Sequence, residues 1–90
     1  MTKVVQFSPK IDMPFADMTK DKIDWWVVKP SGDWSADNDT GRAYAKALIR
    51  YMRAHKTPFL LGYVMTEIAT KNSITGIEAG FFNAICQELI

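Results

Sequence analysis

One cysteine, Cys86, stands in 90 residues. No internal disulfide can form, and no thiolate metal cluster can be built. Its default reading is a buried, inert thiol. Histidine is just as scarce: His55 alone, which with one cysteine leaves too few ligands for a zinc site. No Gly-rich phosphate loop occurs, and no nucleophile–base signature is met. The chain is expected to be no enzyme and to need no cofactor. No run approaches the roughly 18 apolar residues of a membrane span. The opening MTKVVQFSPKIDMPF has too short an apolar stretch for a secretory signal. These absences predict a cytoplasmic protein without a membrane partner.

What is present suits one small domain, residues 1–90. Nearly half the residues are apolar and charges are not scarce, a globular and not a disordered composition. A chain this long buries roughly 60–65% of its unfolded surface, enough for a single core.

The net charge of +1 conceals a local excess. Residues 1–40 balance at −2 and residues 57–90 at −2, whereas residues 41–56 carry +5 through Arg42, Lys46, Arg50, Arg53 and Lys56.

Residues 1–35 read as an extended, strand-containing segment. Lys3–Phe7 is a candidate strand, residues 8–21 mostly loop, and Lys22–Lys29 the better strand, closed by a turn at Pro30-Ser31-Gly32-Asp33. Three helices follow over 38–90. In the first, from about 38 to 56, Tyr44, Ala47, Leu48, Tyr51 and Met52 share a side, with His55 nearby. Asp37 or Asp39 can cap its start. Thr57-Pro58 looks like the cap and first residue of the second helix. Leu60, Leu61, Val64, Met65 and Ile68 form that helix's apolar side, and Asn72-Ser73 end it. Thr75-Gly76-Ile77-Glu78 fits a capping box opening the third helix, about 76–89. Its stripe is Ile77, Phe81, Ile85 and Leu89 with Phe82 and Cys86, and Gly76 and Gly80 fall opposite. Gly80 is suited to close approach by another backbone.

The fold expected is α+β: a short N-terminal strand or hairpin packed on three helices. The alternative is an all-α three-helix bundle with an extended N-terminal arm.

Two features point to a partner. In DWWVV, Trp25 and Trp26 would face opposite sides of a strand. Three helices can cover one face of a short ribbon, so one indole would need other cover. That cover is either a partner, a second copy included, or Trp34 or the Met13-Pro14-Phe15 segment. The second feature is the basic stripe. Arg42 and Lys46 lie near the helix start, where cations are mildly unfavourable, and Ile49 sits among them. An apolar residue ringed by cations fits an acidic partner with one hydrophobic anchor. A solvated helix face is the plainer reading.

Weaker signals have plainer readings too. In DWSADNDTG, Asp33, Ser35, Asp37 and Asp39 alternate as in a calcium loop, but Asn38 and Tyr44 stand where glycine and glutamate belong. Helix capping explains the acids more simply. Helices two and three resemble a helix–turn–helix pair, but the second would offer DNA only Glu78 and Glu88. Phe59 is expected to fold back over the start of helix two, near Tyr63. The expected function is a small non-catalytic interaction or adaptor protein, self-associating in one form, working through Trp25, Trp26, Arg42, Lys46, Ile49, Arg50 and Arg53. The alternative is a small nucleic-acid-binding regulator using the basic face.

Overall fold

The computed structural model describes residues 13–17 and 22–90, and comprises α1 (Trp34–His55), α2 (Leu60–Lys71) and α3 (Gly76–Glu88). Among the described residues there is no strand, only one antiparallel bridge between Asp17 and Asp24. The all-α alternative therefore describes the fold, and the α+β expectation is corrected. The candidate strand at 3–7 lies outside the described residues.

The reason residues 22–29 do not form a strand is local. Asp24 exchanges both backbone hydrogen bonds with Asp17, and Val27 N–H donates to Phe15 O at 2.7 Å. Between them, the Asp24 side chain accepts from Trp26 N–H at 3.2 Å. That self-contained turn removes a donor a ladder would use, as short acidic side chains often do. The result is an arm laid across the helices.

α1 begins four residues earlier than the sequence suggested. Asp33, not Asp37 or Asp39, is the cap, accepting from Ser35 N–H and Ala36 N–H. Asp37 turns back instead, taking Ser31 N–H, the Ser31 hydroxyl and Gly32 N–H, and so clamps the preceding turn to the helix. The acidic stretch is thus a cap and a clamp. At its other end α1 stops on Lys56 in the left-handed region, and both Lys56 N–H and Thr57 N–H donate to Met52 O. Thr57 is consumed by this ending. Its hydroxyl is buried with no partner among the described residues, and α2 starts at Leu60 with no side-chain cap. The proposed Thr57 cap is corrected. Asn72, also left-handed, ends α2 as expected, and the Thr75/Glu78 capping box is present.

α1 and α3 run parallel and touch through backbone. Trp34 meets Gly76, Asn38 meets Gly80, and Gly41 meets Ile77 and Phe81. A β-carbon on Gly41 would sit 1.9 Å from Ile77 O, and one on Gly80 2.0 Å from Asn38 O. The buried seam of α1 is Asp37, Gly41, Ala45 and Leu48, rotated toward the basic side from the expected stripe. Gly76 and Gly80 face α1 rather than lying opposite the apolar side. α2 adds Leu60, Val64 and Ile68 to the core.

The arm supplies the rest. Phe15, Trp26, Tyr44 and Phe81 form an aromatic cluster, with Trp26 and Phe81 centroids 4.8 Å apart and Phe15 and Trp26 5.3 Å apart. Trp26 is 2% exposed, and its indole N–H donates to Glu78 Oε2 at 2.8 Å. Such a bond removes the cost of burying an indole donor.

Candidate functional site

The two indoles of DWWVV are covered by their own chain to different degrees. Trp26 is buried in the core with its ring against Phe15, so it offers no exposed indole. Trp25 is half-buried against Tyr63 of α2, with ring centroids 5.5 Å apart. From the Met13-Pro14-Phe15 segment it is Phe15 that packs on Trp26. Trp34 does not, being 60% exposed. Trp25 and Trp26 therefore do not form the uncovered indole face expected to dock a partner. Other placements change as well. Phe59 does not fold over the start of α2: it stays exposed, its ring 5.8 Å from Tyr63. His55 is exposed and stacks on Tyr51 at 4.1 Å, away from the core. Cys86 is exposed, not buried.

The basic face is where residues converge. Because the α1 seam is rotated, this face does not simply look into water. Arg42 Nε donates to Asn38 Oδ1 at 3.0 Å and reaches Gln87 of α3 at 3.5 Å. Arg53 pairs with Glu88 of α3 at 3.0 Å. Lys46 and Arg50 are exposed and, among the described residues, have no carboxylate partner. Ile49 is half-buried between these cations and the end of α3.

A groove opens there. Its apolar wall is Ile49, Met52, Pro58, Leu61, Ile85 and Leu89, enclosing about 230 Å³, with Arg53 and Glu88 at its mouth. A second hollow shares Ile49, Arg53 and Glu88 and adds Lys46 and Arg50. The two are continuous through Ile49. Each α1 cation stands one helical turn from the next, so Lys46, Arg50 and Arg53 make a single positive flank about 10 Å long. Sequence reading found Ile49 and its cations. It missed Met52, Leu61, Ile85 and Leu89 as their continuation, because only the packing of three helices brings them together.

Two carboxylates elsewhere are perturbed. The Ser31 backbone N–H, then its hydroxyl, and Gly32 N–H hold the Asp37 carboxyl below its ordinary value against the effect of burial. Burial pushes Glu78 up, but hydrogen bonds from the Thr75 hydroxyl, the Trp26 indole and the Thr75 backbone outweigh it and leave it lowered. Both are fully engaged in holding structure. They offer no poised acid or base of the kind catalysis uses. Among the described residues no three His, Cys, Asp or Glu side chains are grouped to hold a metal ion, and no helix is long and apolar enough to cross a membrane.

The chain matches no protein-family model, no curated protein and no solved structure.

Proposed function

We propose that the protein is a small, non-catalytic docking module of the cytoplasm that takes an acidic, apolar-anchored segment of another protein into the Ile49 groove. The observation behind this reading is the direct continuity of an apolar wall with a flank of three cations, two of them unpaired among the described residues. Apolar contact supplies the affinity, and charge selects and orients the partner.

The same features count against nucleic acid. Arg42 is engaged by Asn38 and Gln87 and Arg53 sits beside the Glu88 carboxylate, so of the five cations in residues 41–56 only Lys46, Arg50 and Lys56 have no such partner among the described residues. Glu88 adds a repelling charge inside the patch. Selection from a random peptide display library tests the proposal. The expected result is convergence on sequences with an apolar anchor flanked by Asp or Glu, lost with Ile49→Asp and weakened about ten-fold or more with Arg50→Glu. Arg50 is exposed, so the second variant keeps the test decisive if the first fails to fold. Convergence on basic peptides, or retention of DNA or RNA with a steep salt dependence, refutes it. Dimerisation through the same groove, seen by sedimentation, would make a second copy the partner instead.

A further inference from the structure

Glu88 occupies a telling position. Among the described residues it is the one carboxylate lining either hollow, and it meets Arg53 at the mouth they share. The residue after it, Leu89, lines the apolar wall. A carboxylate beside an apolar side chain is the chemistry this site is suited to bind. We infer that the occupant is an acidic amphipathic helix of another protein that displaces Glu88 from Arg53, so that the last turn of α3 is a weak internal competitor for the site. The inference rests on the docking reading above and adds the partner's form and a residue that limits its affinity.

The form follows from the walls. The lining residues come from α1, from the segment leading into α2 and its first turn, and from the C-terminal end of α3. The described residues around the groove present no sheet edge, so an apolar-faced helix laid into the groove suits it better than strand addition. The positive flank is one-sided. Lys46, Arg50 and Arg53 all belong to α1, while the α3 wall offers only Glu88. A bound helix lying along α1 therefore needs carboxylates on one flank of its apolar stripe, spaced over about two turns to match the three cations.

Displacement is easy because the internal pair is weak. The Arg53 and Glu88 side chains are 71% and 44% exposed, and ion pairs so open to water are readily exchanged. An incoming carboxylate replaces Glu88 on Arg53, and Glu88 returns to solvent from a site that three cations otherwise favour.

The probe is a designed 14-residue peptide helix with leucines at i, i+3, i+4 and i+7 and glutamates on one flank. A second peptide carries lysines in place of the glutamates. Binding is read by fluorescence anisotropy at about 50 mM and about 500 mM salt. The acidic peptide is expected to bind and the basic one not. Glu88→Gln tightens the acidic peptide roughly two- to five-fold at low salt, less at high salt. Glu67→Gln changes the net charge equally, but Glu67 lies on α2 and lines neither hollow; it should alter affinity by less than about 1.5-fold. If the acidic peptide binds and Ile49→Asp abolishes binding, but Glu88→Gln has no effect, weakens it, or merely equals Glu67→Gln, the competitor is overturned and the docking reading stands. If neither the parent protein nor Glu88→Gln binds the acidic peptide at millimolar concentration, both fall.

Discussion

Gly41→Ala is the sharpest perturbation of this fold. In a helix interior, glycine to alanine ordinarily stabilises by about 1 kcal/mol. Here the new methyl would lie 1.9 Å from Ile77 O, 2.7 Å from Phe81 N and 2.8 Å from Ile77 C, where ordinary contact begins near 3.4 Å. All three atoms are backbone, so no rotamer change relieves them. α1 and α3 must separate by about 1.5 Å, and a gap of that size forfeits much of the dispersion energy across the seam. Overpacking of a less severe kind costs about 1–3 kcal/mol. With the propensity gain set against it, a net loss of roughly 2–4 kcal/mol is expected, from a total of about 5–13 kcal/mol for a chain of this length. Thermal unfolding followed by circular dichroism should show a fall of roughly 10–25 °C. The internal control is Gly62→Ala on α2, where a β-carbon meets nothing within 4 Å. That variant should gain up to about 1 kcal/mol. Equal signs for the two variants would refute the glycine-seam argument.

Glu78→Ala strips the Trp26 indole of its acceptor and dismantles the Thr75 capping box; a loss of roughly 2–4 kcal/mol is expected in urea titration. The carboxyls of Glu78 and Asp37, ordinarily at 4.5 and 3.8, are both lowered in the folded protein. Their stabilisation is therefore complete above those ordinary values and declines as pH falls through the lowered ones; a melting temperature that rises between pH 5 and pH 3 would contradict this assignment. Trp34 is 60% exposed and Trp26 2%, so Trp34→Phe should remove most of the iodide-quenchable tryptophan emission and shift the remaining spectrum to the blue.

What could be read in the sequence was mostly what is decided within a few residues. The Thr75/Glu78 box and the stop at Asn72 are local and appear as expected, and the stripes of α2 and α3 are recovered in part: Leu60, Val64, Ile68, Ile77, Phe81 and Ile85 are buried, whereas Met65 and Leu89 are exposed. The start of α1 was misplaced because Asp33-Trp34-Ser35 has the composition of a turn. It is helical because Asp33 caps it, Asp37 binds Ser31, and Gly76 packs under Trp34. Helix-wheel averaging put His55 and Cys86 on apolar sides, yet burial needs a neighbour to cover the position, and both are exposed. The bond from Trp26 to Glu78 spans 52 residues and left no local trace. The glycines carried a usable signal. Gly76 and Gly80 are one turn apart on α3, with Gly41 on α1, and together they mark a seam too close for side chains.

The groove lies beyond that seam along α1. α1 and α3 are in backbone contact at Gly76, Gly80 and Gly41, near the N-terminus of each helix. Two side-chain links also join the helices, Arg42 to Gln87 beside Gly41 and Arg53 to Glu88 at the C-terminal end of both. The buried seam continues past the glycines through Ala45 and Leu48 of α1 and Phe81, Ala84 and Ile85 of α3, and the groove opens farther along α1, at Ile49 and Met52, where Pro58 and Leu61 also line it. Residues that hold the fold and residues proposed to bind are accordingly segregated along one helix: Asp37, Gly41, Ala45 and Leu48 in the seam, Lys46, Arg50 and Arg53 on the flank. Arg50→Glu should then change stability by no more than about 0.5 kcal/mol while reversing the charge where binding is proposed. A loss of several degrees in its melting temperature would mean that Arg50 supports the fold, and the division of α1 into a structural and a binding face would fail.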